Sequence, residues 1–157
     1  MAPTLRLISR ERAERILAKN PDASDLWLAD YPLDDELDAL RFFLASPALS
    51  VESAVFGLYS VHQESSHAVG GIGFFGPPDL EGAVTIGYGV VPSARGRGIA
   101  SQAVAEIVEI ARWNQVRAVH AVTDLDNLAS QRVLLKNGFT LLRSDEAQAY
   151  FENRLAG

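Results

Sequence analysis

The chain has 157 residues, 48% hydrophobic and 22% charged, which predicts one globular domain, residues 1–157, with its own core. It contains no cysteine, which excludes disulfides, thiolate catalysis and cysteine-bound zinc. The net charge of −6 is concentrated in residues 1–82, with 13 acidic against 6 basic side chains; this argues against a nucleic-acid partner and is compatible with a cationic ligand or simply with solubility.

The first elements are a strand and two helices. A strand is predicted at residues 4–8 and a helix at 10–19, for which Ser9 is a suitable N-cap. The run Asp34-Asp35-Glu36 is interpreted as a solvated start of a second helix, and a surface for a cationic ligand is the alternative. The apolar stripe of this helix is Leu37, Leu40, Phe43 and Leu44.

A three-stranded meander is predicted next. Residues 51–62 and 68–75 are rich in β-branched and aromatic side chains and are joined by a polar turn, which predicts an antiparallel hairpin. Residues 82–91 form the third strand, which ends at Pro92. Three glycines weaken the middle strand and indicate a bulge or a close backbone approach, at Gly70, Gly71 and Gly73.

The second half predicts a parallel crossover followed by a hairpin. The longest helix, at 102–113, links the strand at 82–91 to a short apolar strand at 116–123. A helix at 127–137 and strands at 139–143 and 149–155 complete the chain. The order β-α-α-β-β-β-α-β-α-β-β predicts an α+β fold, with a mixed sheet and helices on both of its faces.

Residues 86–100, IGYGVVPSARGRGIA, lead from an apolar strand through a proline to a loop with two arginines and two glycines, and then to a helix. Glycines let a ligand approach the backbone closely, and free N–H groups at a helix N-terminus favour an anion. Arginine adds planar donors that suit phosphate. The stretch therefore predicts a site for a diphosphate.

Two separate motifs in this region resemble the GCN5-related N-acetyltransferase (GNAT) family. Arg95, Gly98 and Ala100 occupy the first, fourth and sixth positions of its Q/R-x-x-G-x-G/A signature. The stretch AVTDLDNLASQRVLLKNGF, at 121–139, is similar to the A-x-T-x-x-x-N-x-x-S-x-x-V-L-x-K-x-G-F segment of the branch that includes the ribosomal-protein alanine acetyltransferases. The similarity runs from about residue 82 to 139, and the preceding residues match only in the order of their elements. The mostly antiparallel GNAT sheet is thereby implied.

The resemblance implies an acetyltransferase that uses acetyl-CoA as co-substrate and no metal. It assigns the pantetheine arm to the end of the strand, at Val90 and Val91. It assigns the pyrophosphate to the loop and the helix start, at Arg95, Gly96, Arg97, Gly98, Ile99 and Ala100. Asn127 would bind the arm or a water near the thioester, and Ser130 would lie beside the CoA sulfur.

Amine acetylation needs a neutral amine, a stabilised carbonyl oxygen and a proton for the departing thiolate. A backbone N–H at Val90 or Val91 suits the oxygen. Many relatives place a proton-donating tyrosine four residues beyond the Ser130 position, where this chain has Leu134. Ser130 lies one turn earlier on the same helix face and is therefore the candidate donor to the sulfur, with capping or packing as the alternative.

The sequence leaves the general base open. In the branch that the chain resembles, a glutamate often stands two residues before the Gly-Tyr pair of this strand, and here that residue is Thr85, which accepts no proton at neutral pH. The candidates are Glu81, Tyr88 acting through a water, and an acidic residue of the first two helices. Half-buried packing explains Tyr88 equally well.

The acceptor amine is equally open between a protein N-terminus, a polyamine, an amino acid and an antibiotic. Trp27, Tyr31 and Phe42 lie where family members form the acceptor wall, and core packing is the alternative. Two rival functions remain. One is an acyl-CoA-binding sensor or partner module without catalysis, and the other is an enzyme for a longer acyl chain, with a tunnel lined by the three glycines of the meander.

The histidines predict no metal site, because they are scattered. His120 is interpreted as a satisfied core residue, and His62 and His67 are expected to be exposed beside the hairpin turn. The sequence contains neither a signal-peptide hydrophobic region nor an apolar run of bilayer length, so we expect a cytoplasmic protein that needs no membrane. Strand edges near the C-terminal hairpin favour a homodimer.

Overall fold

Seven strands and four helices follow one another in the predicted order in the computed structural model, which describes residues 3–63 and 66–155. The strands are β1 Thr4–Leu7, β2 Leu58–His62, β3 Ala68–Phe74, β4 Ala83–Val90, β5 Ala118–Asp124, β6 Thr140–Ser144 and β7 Gln148–Arg154. The helices are α1 Arg10–Leu17, α2 Asp34–Ala45, α3 Ile99–Trp113 and α4 Leu128–Lys136. The predicted α+β class is confirmed.

The strands form one sheet in the order β1-β2-β3-β4-β5-β7-β6. Among the described strands, β4 and β5 are the only parallel neighbours, and α3 connects them as the crossover. A parallel pair needs such a long connection, whereas the antiparallel neighbours in this sheet are free to use short turns. The sheet is therefore mostly antiparallel, with β1 and β6 at its edges.

The helices cover both faces of the sheet. Successive residues of a strand point to opposite faces. On β4, the Cβ position of Gly89 meets Leu33 at the start of α2, whereas the Tyr88 hydroxyl donates to the Ser130 carbonyl of α4. Since α1 packs against α2 and α3 against α4, the first two helices lie on one face and the last two on the other.

The strand predicted at 51–62 is wrong in its first half. Residues 51–53 form a turn and Ala54–Phe56 a 3₁₀ helix, so that β2 begins only at Leu58. The Ser53 N–H donates to Ser50 Oγ at 3.2 Å, a local bond that competes with pairing between strands. Phe56 is buried all the same, because its ring packs edge-on against Phe74.

His62 is buried, with 3% of its surface exposed, and the expectation of an exposed side chain is wrong. The reason is the position of β2 in the interior of the sheet, between β1 and β3. The two ring nitrogens lie 2.8 Å from Ser60 Oγ and 2.8 Å from the Ser66 carbonyl, and burial lowers the pKa of the imidazole. His67 is half-buried.

His120 is satisfied, as predicted, but it is not a core residue. Its side chain keeps 36% of its surface exposed, and Nε2 lies 2.9 Å from Glu152 Oε2. The hydrogen bond from His120 is the main cause that lowers the pKa of Glu152. Helix α2 packs over β4, on the face where Thr85, the pairing partner of His120, lies. On β5 the same face of the sheet stays partly open.

The described residues contain no group of three or more histidine, cysteine, aspartate or glutamate side chains arranged to hold a metal ion. Within the same part of the chain, no helix combines the length and the apolar character that crossing a membrane requires.

Candidate active site

Strands β4 and β5 separate towards their C-terminal ends. Their pairing stops at Ile86 and Ala121, although β4 continues to Val90 and β5 to Asp124. The last residues of β4 therefore pair with β3 alone. This separation opens a gap in the middle of the sheet, which we call the β4–β5 gap.

The gap receives backbone N–H groups of β4. The Val91 N–H donates to the Val69 carbonyl at 2.8 Å, so the neighbouring pair Val90–Gly70 is a non-hydrogen-bonded one. In such a pair the N–H groups point away from the partner strand, which turns those of Val90 and Tyr88 towards the gap. Val91 does not fit its predicted role, because its N–H is occupied and its side chain is fully buried.

A cavity of about 390 Å³, the donor cavity, lies between the end of β4, the Gly/Arg loop and the N-termini of α3 and α4. It brings together residues of the two sequence motifs, which are about 30 positions apart. The predicted site residues that line it are Tyr88, Val90, Arg95, Gly96, Gly98, Ile99, Ala100, Asn127 and Ser130. Arg97 and Val91 are not part of its lining.

The Gly/Arg loop ends in a helix start with unused donors. Gly96 and Gly98 have φ angles of +81° and +74°, a left-handed conformation that favours glycine. Gly98 is the N-cap of α3 and has no side chain to cap it. Throughout the described residues, no acceptor is found for the backbone N–H groups of 96–101. These donors and the positive end of the helix fit a diphosphate.

The two arginines of the loop differ in their surroundings. Arg95 Nε donates to the Val90 carbonyl at 2.8 Å, which ties the loop to the end of β4. Arg97 is exposed and lies outside the lining of the donor cavity. Backbone donors, rather than a pair of arginine forks, therefore dominate this cavity.

Tyr88 and Ser130 form a hydroxyl pair at the inner end of the donor cavity. Ser130 Oγ donates to the Tyr88 hydroxyl at 2.7 Å, and that hydroxyl donates to the Ser130 carbonyl at 3.0 Å. Burial raises the pKa of Tyr88 to about 12, so its hydroxyl stays protonated at neutral pH. Asn127 Oδ1 accepts from the Ser130 N–H at 3.1 Å and so caps α4, while Leu134 is fully buried.

A second cavity of about 360 Å³, the acceptor cavity, lies on the opposite face of β4, against α2. Glycines at 71, 73, 87 and 89 line it, and two of them, Gly71 and Gly89, make room for α2 and its N-cap. A Cβ atom at Gly71 would lie 2.7 Å from Glu36 Cδ, and one at Gly89 would lie 2.7 Å from Leu33. The apolar walls are Ile8, Leu33, Ala39, Leu40, Leu58, Ile72, Phe75, Ile86 and Val122.

Trp27, Tyr31 and Phe42 line neither cavity, and for Trp27 and Tyr31 the alternative of core packing applies. The rings of Trp27 and Tyr31 pack against each other, 5.4 Å between centroids. Phe42 is 51% exposed, and its ring packs edge-on against Phe75, which itself lines the acceptor cavity. The register of α2 turns Leu33, Leu37 and Leu40 towards the sheet and Phe42 away from it.

Glu36 is a candidate base that the sequence analysis includes only as one of the acidic residues of the first two helices, without naming it. Its Oε2 accepts from the Tyr31 hydroxyl at 2.6 Å, and its Oε1 is buried without a hydrogen-bond partner among the described residues. Burial raises the pKa of this carboxyl to about 7, and the bond from Tyr31 opposes the rise. Burial is the main cause that raises the pKa of Tyr31 far above its ordinary value, and the neighbouring Glu36 carboxylate raises it further.

A signal for Glu36 is present in the sequence. Glu36 follows Leu33 by three residues and precedes Leu40 by four, so it falls on the apolar stripe of α2. Asp34 and Asp35 are exposed, as expected for a solvated helix start. The acidic run therefore contains one inward-facing carboxylate and two outward-facing ones.

The other candidates for the base are placed less favourably. Thr85 lines the acceptor cavity, on the same face of β4 as Gly87 and Gly89, but it has no carboxylate. Glu81 is exposed in the turn before β4 and lines neither cavity. The Tyr88 hydroxyl is bonded to Ser130 on the opposite face.

A known family model covers most of this chain. The family described as "Acetyltransferase (GNAT) domain" matches residues 4–140. The "Uncharacterized N-acetyltransferase YjdG" of Bacillus subtilis (strain 168) is 31% identical over 116 residues, which are 71% of this chain and 68% of that protein.

Two solved structures share the fold at low sequence identity. The microcin C7 self-immunity acetyltransferase MccE, solved with acetyl-CoA and AMP, superposes with a TM-score of 0.68 at 14% identity, over 98% of this chain and 93% of that one. RimL, a ribosomal L7/L12 alpha-N-protein acetyltransferase, gives 0.66 at 21% identity, over 99% and 91%. The extent of the family match and the identity to the Bacillus protein lead to one conclusion: this chain belongs to the GNAT family of N-acetyltransferases.

Proposed function

We propose that this protein transfers the acetyl group of acetyl-CoA directly to a primary amine while both substrates are bound. One observation carries the proposal: Tyr88 and Gly89 line both the donor and the acceptor cavity, beside the β4–β5 gap. A thioester held from one side and an amine held from the other would meet at this end of β4.

The donor half of the reaction uses backbone groups. The free N–H groups of 96–101 would bind the CoA pyrophosphate, and the N–H of Val90 would stabilise the thioester carbonyl oxygen as it gains negative charge. Asn127 keeps α4 in place through its cap and leaves its Nδ2 group for the pantetheine arm or a water.

The hydroxyl pair would serve the sulfur. Ser130 Oγ and the Tyr88 hydroxyl lie together at the end of the donor cavity, and each carries a proton at neutral pH. The CoA thiolate would replace either the Tyr88 hydroxyl, which accepts from Ser130 Oγ, or the Ser130 carbonyl, which accepts from Tyr88. It would thereby receive a hydrogen bond from one of the two hydroxyls. Tyr88, on β4, thereby compensates for the tyrosine that α4 lacks at Leu134.

In the proposed transfer, a bond from the acetyl carbon to nitrogen replaces its bond to sulfur. The neutral amine nitrogen forms a bond to the acetyl carbon, and the bond between that carbon and sulfur breaks. The ammonium form of the acceptor gives up two protons in total, one to a base and then to water, and one to the CoA sulfur. The products are the N-acetyl amine, CoA and one proton.

The acceptor class is open between peptide and small-molecule amines. The motif at 121–139 and the fold shared with RimL support a protein N-terminal amine, as in the ribosomal-protein branch. The departure at Thr85 and the enclosed apolar cavity support a smaller amine. We expect no nucleic acid among the partners, because the net charge is −6.

The test is the release of CoA from acetyl-CoA by the purified protein, measured with a panel of primary amines that includes N-terminal peptides. Direct transfer predicts initial-rate lines that intersect when both substrates are varied. Parallel lines would contradict direct transfer. Binding of acetyl-CoA without release of CoA for every amine would instead favour the sensor or partner module.

A further inference from the structure

We propose that Glu36 is the catalytic base of the transfer and that its acceptor is a primary amine carried on an apolar body. This inference rests on the proposed function and names the residue and the substrate class within it. The family signature of this chain contains no residue of α2. The carboxylate that the resembled branch often has on β4 is replaced here by Thr85.

The position of the Glu36 carboxyl relative to β4 favours a role as the base. The Glu36 carboxyl lies over Gly71, which pairs directly with Gly89 across β3 and β4. Gly89 borders both cavities, and the next residue, Val90, directs its N–H to the gap. The carboxylate therefore stands one strand away from the point where a thioester carbonyl would be held.

The second argument is the unpaired oxygen. Tyr31 occupies Oε2 with a hydrogen bond of 2.6 Å, which fixes the orientation of the carboxyl group. Oε1 is buried without a partner in the described part of the chain, an arrangement that costs free energy unless a ligand supplies a donor. An ammonium group in the acceptor cavity supplies that donor and gives up its proton there.

The third argument is the charge of the surroundings. Tyr31, before α2, bonds to the carboxyl, and the other titratable groups in the cavity lining are Tyr59 of β2, Tyr88 of β4 and the exposed Asp35. The hydroxyls of Tyr59 and Tyr88 donate to the carbonyls of Val55 and Ser130. From α1, Arg12 reaches Ser60 of β2. Within the described chain, no lysine, arginine or histidine lines the acceptor cavity, so no cation neutralises Glu36 before the amine arrives.

These surroundings suit a base that works at neutral pH. Burial raises the pKa of Glu36 to about 7, so the group exchanges a proton near physiological pH. The rest of the lining is mostly apolar, with hydroxyl-bearing side chains at Tyr59, Thr85 and Tyr88, and Glu36 and Asp35 are its only carboxylates among the described residues. An alkyl or aryl monoamine fits this cavity better than a polyamine, whose further charges would be buried without partners.

The test compares wild-type protein with Glu36→Gln, using phenethylamine, hexylamine and spermidine as probes. Wild-type kcat/KM should rise through about pH 7 to a plateau, and the apolar monoamines should exceed spermidine at least tenfold. Glu36→Gln should lose about 10² to 10⁴ in kcat/KM at pH 7 and climb instead with the ionisation of the amine itself. The Kd for acetyl-CoA should stay within threefold.

Two further variants separate a chemical role from a structural one. Asp38→Asn removes an exposed carboxylate of the same helix and should leave the pH profile unchanged. Tyr31→Phe removes the hydrogen bond that favours the carboxylate and should move the midpoint of the profile to higher pH.

The outcomes are distinguishable. Turnover by Glu36→Gln within threefold of wild type, or an inflection near pH 7 that persists in it, would overturn the role of Glu36 while leaving the proposed transfer intact. A preference for spermidine would overturn the substrate class. Wild-type protein that binds acetyl-CoA and releases no CoA with any amine would overturn the proposed function itself.

Discussion

At the scale of single residues, Glu36 should affect stability as well as catalysis. Burial raises its pKa from an ordinary 4.5 to about 7 in the folded chain. The unfolded chain therefore releases this proton at a lower pH, so the free energy of unfolding falls as the pH rises between these two values. The contribution of this one carboxyl is about 2 to 3 kcal/mol.

Urea unfolding of wild-type protein and Glu36→Gln at pH 5 and pH 8 checks this sign. On going from pH 5 to pH 8, wild type should lose about 2 to 3 kcal/mol relative to the variant. The variant removes the titration while keeping an acceptor for the Tyr31 hydroxyl. A difference between the two proteins that does not change with pH would show that Glu36 is not a buried, titrating acid.

Ser130 is the second residue with a specific expectation. Ser130→Ala removes the hydroxyl that donates to Tyr88 at 2.7 Å and leaves the backbone N–H that bonds to Asn127. We expect the turnover number to fall about 10²-fold, at the lower end of the usual range for a positioned proton donor, and the Kd for acetyl-CoA to change by no more than a few fold. Steady-state kinetics and calorimetry measure the two quantities, with Ser144→Ala on the exposed strand β6 as control. An unchanged turnover number would remove Ser130 from the mechanism.

At the scale of elements, the start of α3 can be tested through Gly98. Its φ of +74° is strained for any other residue, but a Cβ atom there would meet no atom within 4 Å. Gly98→Ala should therefore cost about 1 to 2 kcal/mol of stability through the backbone. It should also raise the Kd for acetyl-CoA about tenfold, because the N–H groups of 96–101 shift.

Gly76→Ala is the matched control for this element. Gly76 has a φ of +99° and equally open surroundings, but it lies outside both cavities. The control should lose similar stability with no change in acetyl-CoA binding, as measured by thermal unfolding and calorimetry. Equal binding losses in both variants would mean that stability, and not the helix start, determines affinity.

The elements also show which sequence signals are reliable. The broad apolar face of α3 and the strand-helix-strand crossover were predictable, because periodicity of this length has no other good solution. Residues 51–57 have the composition of a strand, yet the Ser50–Ser53 turn and the packing of Phe56 favour a 3₁₀ helix in which Phe56 is buried. The conformation of that segment therefore follows from the burial of an apolar side chain and not from its propensity to form a strand.

At the scale of the whole molecule, β6 is an open edge. All five of its residues are exposed, and Leu141 and Leu142 each keep 55% of their surface in water. An exposed apolar edge strand is a template for pairing with another chain. We expect two copies to associate through β6 and to give twice the monomer mass of 17.0 kDa in light scattering. Leu141→Lys with Leu142→Lys should restore the monomer, and a wild-type monomer at all concentrations would contradict the expectation.

The sequence by itself determined the order of the elements, the fold class and the donor half of the site. These properties depend on local patterns: the periodicity of hydrophobic residues, glycine at left-handed positions, and two motifs that lie at the N-termini of α3 and α4. Asn127 and Ser130 line the same cavity as Gly98, because short elements in a known order leave little freedom in how they meet.

Only the tertiary structure decided the acceptor half. Glu36 belongs to an acidic run that reads as solvated, and its partners come from Tyr31 nearby and from Gly71, 35 residues away. Likewise, Val90 and Val91 are indistinguishable in sequence, and the register between β3 and β4 alone determines which N–H faces the gap. The burial and hydrogen bonding of a side chain depend on the residues that pack against it. The tertiary fold, and not the neighbouring sequence, determines which residues these are.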